Sequence, residues 1–481
     1  MATLPASLSK YMSTDENAGY QATSTPDSNL TAPKRVESTF DEDFSDSSNP
    51  FTHQYHHIYI KRLQALKEFY KDSLRAQGKE VHDLIDVSKD PSKDMHVVGL
   101  VHKKMGKLTS YLKEREKAEY QELIYTEKKD LYSAHDVIMI EDETAKLSIK
   151  QAGTLTTNIE LNEPFGLDIF TTGCVICLKG QIDEESTFVV SEVLFCSNIE
   201  TKMITHSLST SNNLNYSALV SGLNISHKVD RLIGYESLAN FLGLQNNDIT
   251  SRISTLVLFG GIVNELQDVN TIHYGSYIYK AESEAIEKNM ARYLTFTDRL
   301  VDGFLGDEKF KSKRQAIVIP GLNDPTDSML PQNPLSNVLF PRHKNTYRVQ
   351  FAKHPETVEL KRGDVLVFLD GLIVEDFRRQ SRLDFYDTAK LLIALRHWAP
   401  TSPNTLEVFP FATKDPLVAR VLPDIVVISG APEFRLDEIT INDHNKTSVR
   451  IVFAPDFAKT RKIVLADFDN WKFEVMSFGE L

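Results

Sequence analysis

From Asn49 the chain reads NPFTHQYHHIYIKRLQALKEFY, and Tyr55, Tyr59, Leu63, Leu66, Phe69 or Tyr70, and Leu74 recur at three-to-four spacing. That spacing predicts one face of an amphipathic helix. From about Met95 the period shortens. MHVVGLVHKK, DVIMIEDETAKLSIK, FGLDIFTTGCVICLKGQI and STFVVSEVLFC alternate or carry β-branched runs bounded by turn residues, and each predicts strand. Between the first two, KLTSYLKEREKAEYQEL (107–123) predicts a charged helix.

After Thr210 the pattern becomes α/β. YSALVSGLNI, ISTLVLFGGIV, QAIVIPGLNDP, DVLVFLDGLIV and PDIVVISGAP are short apolar runs that each end in a Gly-containing turn. Strands of a sheet covered on both faces look like this, and ligands in such folds gather beyond the strand C-termini. RLIGYESLANFLGL, ESEAIEKNMARYLTFTDRLVDGFL and DFYDTAKLLIALRHW predict helices between them, and the C-terminal TSVRIVFAPDFAKTRKIVLADFDNWKFEVMSF predicts strands closing the sheet. The fold class is α+β passing into α/β. Expected boundaries are a disordered acidic, Ser/Thr-rich tail over 1–50, a helical segment over 51–94, a small Greek-key barrel of OB-fold type over 95–210, and the α/β domain over 211–481.

Composition narrows this picture. A length of 481 residues with 41% hydrophobic and 25% charged residues suits a globular chain with room for two or three domains. No apolar run reaches the roughly 20 residues of a membrane span, and the N-terminus lacks a signal-peptide plan. A net charge of −13 argues against strong nucleic-acid binding by this chain, because such affinity rests on neutralising phosphates.

Two constellations invite metal readings and neither is complete. His53, His56 and His57 share a helical face but lack an acidic or thiolate companion, so a polar collar on a packing helix is the simpler reading. Cys174 and Cys177 lie three apart on a strand, where their sulfurs point to opposite faces. With three cysteines in all and no second pair, buried strand thiols are expected.

The strand ends carry the sharper question. A dinuclear phosphoesterase needs about five Asp, Asn and His ligands there, to hold two cations about 4 Å apart. Where such an enzyme offers Asp-X-His, this chain has Ser221-Gly222-Leu223. For Gly-Asp-X-X-Asp it has Gly260-Gly261-Ile262-Val263-Asn264, with Gly261 at the bridging aspartate. For Gly-Asn-His-Asp it has Gly321-Leu322-Asn323-Asp324. Asp370-Gly371 stands where a His precedes Gly, and Gly430-Ala431-Pro432-Glu433 replaces Gly-His-X-His. The turn glycines remain while the ligands are mostly gone.

In that order of turns the second domain resembles the calcineurin-like phosphoesterases, in the branch formed by the B subunits of replicative DNA polymerases alpha, delta and epsilon. PGLNDPTDSMLPQNPLSNVLFPR (Pro320–Arg342), RHWAPTSPNTL (Arg396–Leu406), FPFATKDP (Phe409–Pro416), LVSGLNI (Leu219–Ile225), IMIEDETAKLSI (Ile138–Ile149) and the opening NPF…QYHHIYIKRL (Asn49–Leu63) most resemble the delta branch. Ser402-Pro403-Asn404 and DGLIVEDFRRQ (Asp370–Gln380) depart from its pattern.

The resemblance implies a helix, an OB-fold and a calcineurin-like β-sandwich flanked by helices, with the metal ligands lost. It implies a nuclear, non-catalytic scaffold without cofactor. Its partners would be the C-terminal metal-binding domain of the polymerase delta catalytic subunit, the third delta subunit, and by sharing the polymerase zeta catalytic subunit. DNA would be met only within the complex. Contact candidates are Tyr55, Tyr59, Leu63, Pro331 and Phe340. The proline-stiffened segments equally suit a purely structural role.

Three rivals stay open: a working metallophosphoesterase recruiting Asp324, Asp370, His397 and Glu433, a single-strand binder using the barrel, and the corresponding accessory chain of another replicative polymerase.

Overall fold

The computed structural model describes residues 55–87, 93–107, 130–197, 216–225, 233–243, 248–263, 278–306, 314–343, 347–360, 363–443 and 446–479. The expected acidic tail, His53, the charged helix over 107–123 (bar its first residue) and Asn264 lie outside them.

Helix α1 (His56–Ala76) buries Leu63, Leu66, Tyr70 and Leu74 of the stripe read from the sequence, but Ile58 takes the buried place at its start while Tyr55 is exposed and Tyr59 half-buried. Each such side chain contributes about 2 kcal/mol on burial, more than helix propensity supplies. Arg62 is buried with them, which a hydropathy pattern does not foresee. The short β1 (Val81–His82) and α2 (Leu84–Val87) lead into β2 (Met95–Lys104).

The barrel follows with β3 (Val137–Glu141), β4 (Lys146–Thr157), β5 (Val175–Ile182) and β6 (Phe188–Leu194). β2 pairs antiparallel with β3 and β5, β3 with β4 and β5 with β6, while β4 and β6 are parallel. The ladder therefore closes on five strands in the order of an OB-fold. Two predicted strands are corrected. DVIMIEDETAKLSIK is a hairpin, β3 and β4, turned at Asp142, whose carboxylate takes N–H bonds from Thr144 and Ala145. The start of FGLDIFTTGCVICLKGQI is a 3-10 turn (Leu167–Ile169) with Phe170 buried behind it, since a short apolar run fits a buried turn as well as a strand.

Chemically, Cys174 belongs to the barrel interior and Cys177 to the opposite face beneath α1, with Cys196. All three thiols are buried. Burial raises Cys174 to about 12 and Cys196 to about 11.

The second half contains β7 (Tyr216–Ser221), α3 (Ile233–Gly243), β8 (Ile253–Phe259), α4 (Ile278–Leu305), β9 (Gln315–Val318), β10 (Val349–Phe351), β11 (Glu356–Glu359), β12 (Val365–Leu369), α5 (Gly371–Arg379) and α6 (Phe385–Ala394). It continues with β13 (Ile425–Ala431), β14 (Arg435–Ile441), β15 (Thr447–Pro455), α7 (Phe457–Thr460), β16 (Lys462–Asp467) and β17 (Lys472–Ser477). There are two sheets rather than one, ordered β10-β9-β8-β7-β16-β17 and β11-β12-β13-β15-β14. Leu219, Val257, Ile317, Phe368, Val427 and Val452 meet between them. Helices α3 and α4 cover the outer face of the first sheet. On the outer face of the second, α5 and α6 share one continuous core with the barrel interior.

Candidate functional site

The C-terminal ends of β7, β8, β9, β12 and β13 converge, as the turn glycines required. Asp324 is 2% exposed and its carboxylate is consumed by the backbone: Oδ1 accepts from the N–H groups of Ile262 (2.8 Å) and Val263 (2.9 Å), and Oδ2 from Gly321 (2.8 Å). Burial raises its pKa to about 6 against the pull of those three donors, and the nearby Asp370 adds to the rise. Asp370 caps α5 through Leu372 N–H, accepts from Leu322 N–H at 2.8 Å and takes the Ser429 hydroxyl at 3.2 Å.

The turns pack backbone against backbone at their glycines. A Cβ on Gly371 would lie 2.0 Å from the Ser429 carbonyl oxygen, and one on Gly321 would lie 2.3 Å from the Gly261 nitrogen. Gly261, at φ +102°, would set a Cβ 2.5 Å from Asn224 Oδ1, and Asn224 reaches on to Asp456 (3.4 Å). Ser221 ties the two sheets, accepting from Gly430 N–H at 2.8 Å.

Other residues of the pattern point away. Leu223 is 1% exposed in the core under α3, and Ala431 is buried on the barrel side. Leu322 packs partly buried against that same core, Asn323 is half-buried, and Glu433 is exposed. These donors do not suit a pair of cations: Asp324 and Asp370 already accept N–H groups, Ser221 is bonded to Gly430, Glu433 is exposed, and Leu223, Gly261, Leu322 and Ala431 offer no ligand atom. Among the described residues no three His, Cys, Asp or Glu side chains gather as a metal set.

One histidine missed in the sequence belongs here. His354 Nε2 accepts from the Asp370 N–H at 2.8 Å, so Nδ1 carries the proton towards Gln332 Oε1 (3.1 Å). Burial lowers its pKa to about 4. It lies 16 residues before Asp370 on a loop, where no motif pointed to it.

His397, the fourth member of the atypical ligand set, does not join Asp324 and Asp370. It bonds Asp415 Oδ2 at 2.9 Å in a second buried cluster. There Arg62 Nε donates to Asp415 (2.7 Å), while its terminal nitrogens donate to the carbonyls of Gly173 in the barrel and of Pro400 and Ser402 in the second domain. Burial lowers His397 to about 4, with Arg62 adding to it. Burial would raise the Asp415 carboxyl, but Arg62 and His397 outweigh it and hold it far below the usual range. Arg396 extends this seam, donating to Cys196 and Ala419 carbonyls (3.1 Å each) with its guanidinium 5.0 Å from the Phe69 ring. RHWAP and the Asp415-Pro416 end of FATKDP therefore line an internal seam rather than a free surface.

The contact candidates divide accordingly. Tyr55 is 42% exposed, and Tyr59 is half-buried with its ring 5.2 Å from the Arg62 guanidinium. Leu63, Pro331 and Phe340 are buried and are corrected. Leu63 packs α1 onto the barrel, and Phe340 fills the core beneath α4 against Phe351. Pro331 is held in a loop whose neighbours Leu330 and Gln332 bond Glu407 and His354.

The family described as DNA polymerase delta subunit OB-fold domain matches residues 54–193, which span α1 and the barrel. The family described as the DNA polymerase alpha/epsilon B subunit matches residues 218–436, which span most of the sandwich and its strand ends. Among whole proteins, the chain is 25% identical to a probable DNA polymerase delta small subunit of Caenorhabditis elegans, covering 90% of this chain and 94% of that one. It is 24% identical to the DNA polymerase delta small subunit of Saccharomyces cerevisiae, covering 94% and 96%. A similar match joins it to the rice small subunit, at 24% identity over 89% and 93%. With both domains matched in tandem and these relatives aligned nearly end to end, the chain belongs to the B-subunit family of DNA polymerases.

Proposed function

We propose that this chain is a non-catalytic scaffold subunit of a nuclear DNA polymerase of the delta type. The sandwich is read as a calcineurin-like phosphoesterase domain, over 211–481, that has lost its chemistry. The barrel of 95–210 and the helical segment of 51–94 dock on it. The strand-end side chains carry this reading: at Gly261, where the bridging aspartate would stand, a Cβ would meet Asn224 Oδ1 at 2.5 Å, and Asp324 and Asp370 already accept backbone N–H groups.

The seam supports a rigid bridge. Arg62, Asp415, Arg396 and His397 make the barrel and sandwich one body, suited to hold two partner chains at a fixed distance. Those partners are the C-terminal metal-binding domain of the catalytic subunit and the third subunit, with sharing by polymerase zeta a further part of the proposal. Tyr55 and Tyr59 remain the contact candidates.

A single-strand-binding role fits poorly. The described faces of β3, β4 and β6 present no exposed aromatic ring for a base to stack on, and the β5–β6 turn holds Asp183, Glu184 and Glu185.

Purification from cells tests the reading: a polymerase catalytic chain should accompany this one stoichiometrically. Micromolar Mn²⁺ binding by calorimetry, with hydrolysis of a nitrophenyl phosphodiester lost in Asp324→Ala, would replace the scaffold by an enzyme.

A further inference from the structure

β14 and β17 are the last strands of their respective sheets, and among the described residues nothing pairs with their outer edges. Both are regular antiparallel strands of seven and six residues, without proline or a register shift. Exposed edges of this kind are normally shortened, bulged or covered, because their unpaired N–H and C=O groups accept another strand.

The registers show what lies between these edges. Leu436 is opposite Val452, Phe473 opposite Ala466 and Val475 opposite Val464. The three partners belong to the core between the sheets, so Leu436, Phe473 and Val475 point inwards as well. Yet Leu436 and Val475 are each 40% exposed. The sandwich is thus open along this side as an apolar slit. Its floor is a set of rings: Phe473 lies 6.1 Å from Phe434 and 4.9 Å from Trp471, and the Arg450 guanidinium is 4.2 Å from the Trp471 centroid.

Charge marks the two ends. Lys472 begins β17, and Lys462 on β16 is opposite Ser477 at its other end. Both lysines are exposed, and neither makes an ion pair among the described residues. Glu474, between them, already accepts the Tyr216 hydroxyl at 2.5 Å.

We propose that β17 takes an added strand from a partner polypeptide of the assembly, an extended segment with apolar side chains at alternate positions and an acidic residue at each end. Its backbone would complete the edge of β17, its apolar side chains would cover Val475 and Leu436, and its flanking carboxylates would meet Lys472 and Lys462. A second copy of this chain is disfavoured by its net charge of −13. The inference rests on the subunit reading above.

Hydrogen exchange read by mass spectrometry tests it on the full chain, free and in the complex isolated with a polymerase catalytic chain. The outward amides within 472–477 should exchange about tenfold or more slowly in the complex than in the free chain. Val475→Glu, and separately Leu436→Glu, should abolish that protection while leaving the melting temperature of the free chain nearly unchanged. A complex that forms with 472–477 exchanging as in the free chain overturns the proposal and leaves the subunit reading intact. Failure to isolate any complex overturns both. Protection already present in the free chain, lost on deleting residues 1–50, would mean that the strand comes from this chain itself, and also overturns the proposal.

Discussion

Two buried polar clusters in this molecule solve the same problem in opposite ways. At the seam, the Asp415 carboxylate faces a guanidinium, and Coulomb attraction outweighs the cost of burial. At the strand ends, Asp324 has no cation among its bonded partners and relies on three backbone N–H groups, so its pKa rises instead. The first cluster joins domains and depends on charge. The second closes a gap with neutral donors, and its strength lies in fitted backbone.

The largest break in this contrast is Arg62→Ala. It leaves Asp415 buried without its cation and three carbonyls without their donors, so unfolding free energy should fall by about 3–5 kcal/mol, read by urea titration. Gly261→Asp probes the other cluster by restoring the acid that a phosphoesterase would have there. The left-handed backbone and the 2.5 Å approach to Asn224 should cost about 2–4 kcal/mol, with no Mn²⁺ binding gained by calorimetry.

Acid sharpens the comparison. His397 and His354 hold pKa values of about 4 against an ordinary 6.5. Between pH 6.5 and 4 the unfolded chain therefore binds protons that the native one refuses, and stability falls as pH falls. Asp324, at about 6 against 3.8, acts in the reverse sense, since the native chain takes up its proton first as pH drops through 6. Removing that offset with Asp324→Asn should steepen the acid loss, and His397→Gln should flatten it. Each change should amount to about 1 kcal/mol per pH unit at most, read as melting temperature against pH. The smallest effect is expected outside both clusters. Tyr55→Ala should change stability by less than about 0.5 kcal/mol while weakening co-purification with a partner chain.

The order of helix, barrel and sandwich was legible because apolar spacing changes from helical to strand-like at Met95 and the glycine turns recur after Thr210. The strand-end residues were legible through position in that order. What escaped was side-chain destination. Arg62 has the polarity of a solvent-facing residue, and only the carbonyls of Gly173, Pro400 and Ser402, more than a hundred residues away, explain its burial. Phe340 and Pro331 looked like surface anchors because the loop around them is rich in proline, yet these two side chains turn inwards while Val338 between them is 66% exposed. The edge strands β10, β11 and β14 were missed, being short or weakly apolar.

The three thiols offer a practical consequence. Cys177 and Cys196 lie beneath α1, and burial keeps both protonated and out of reach of alkylating reagents at neutral pH. Maleimide labelling of these two sites therefore requires α1 to lift from the barrel, and the labelling rate measures how often it does so. The chain carries its own kinetic reporter, one that needs no engineered probe.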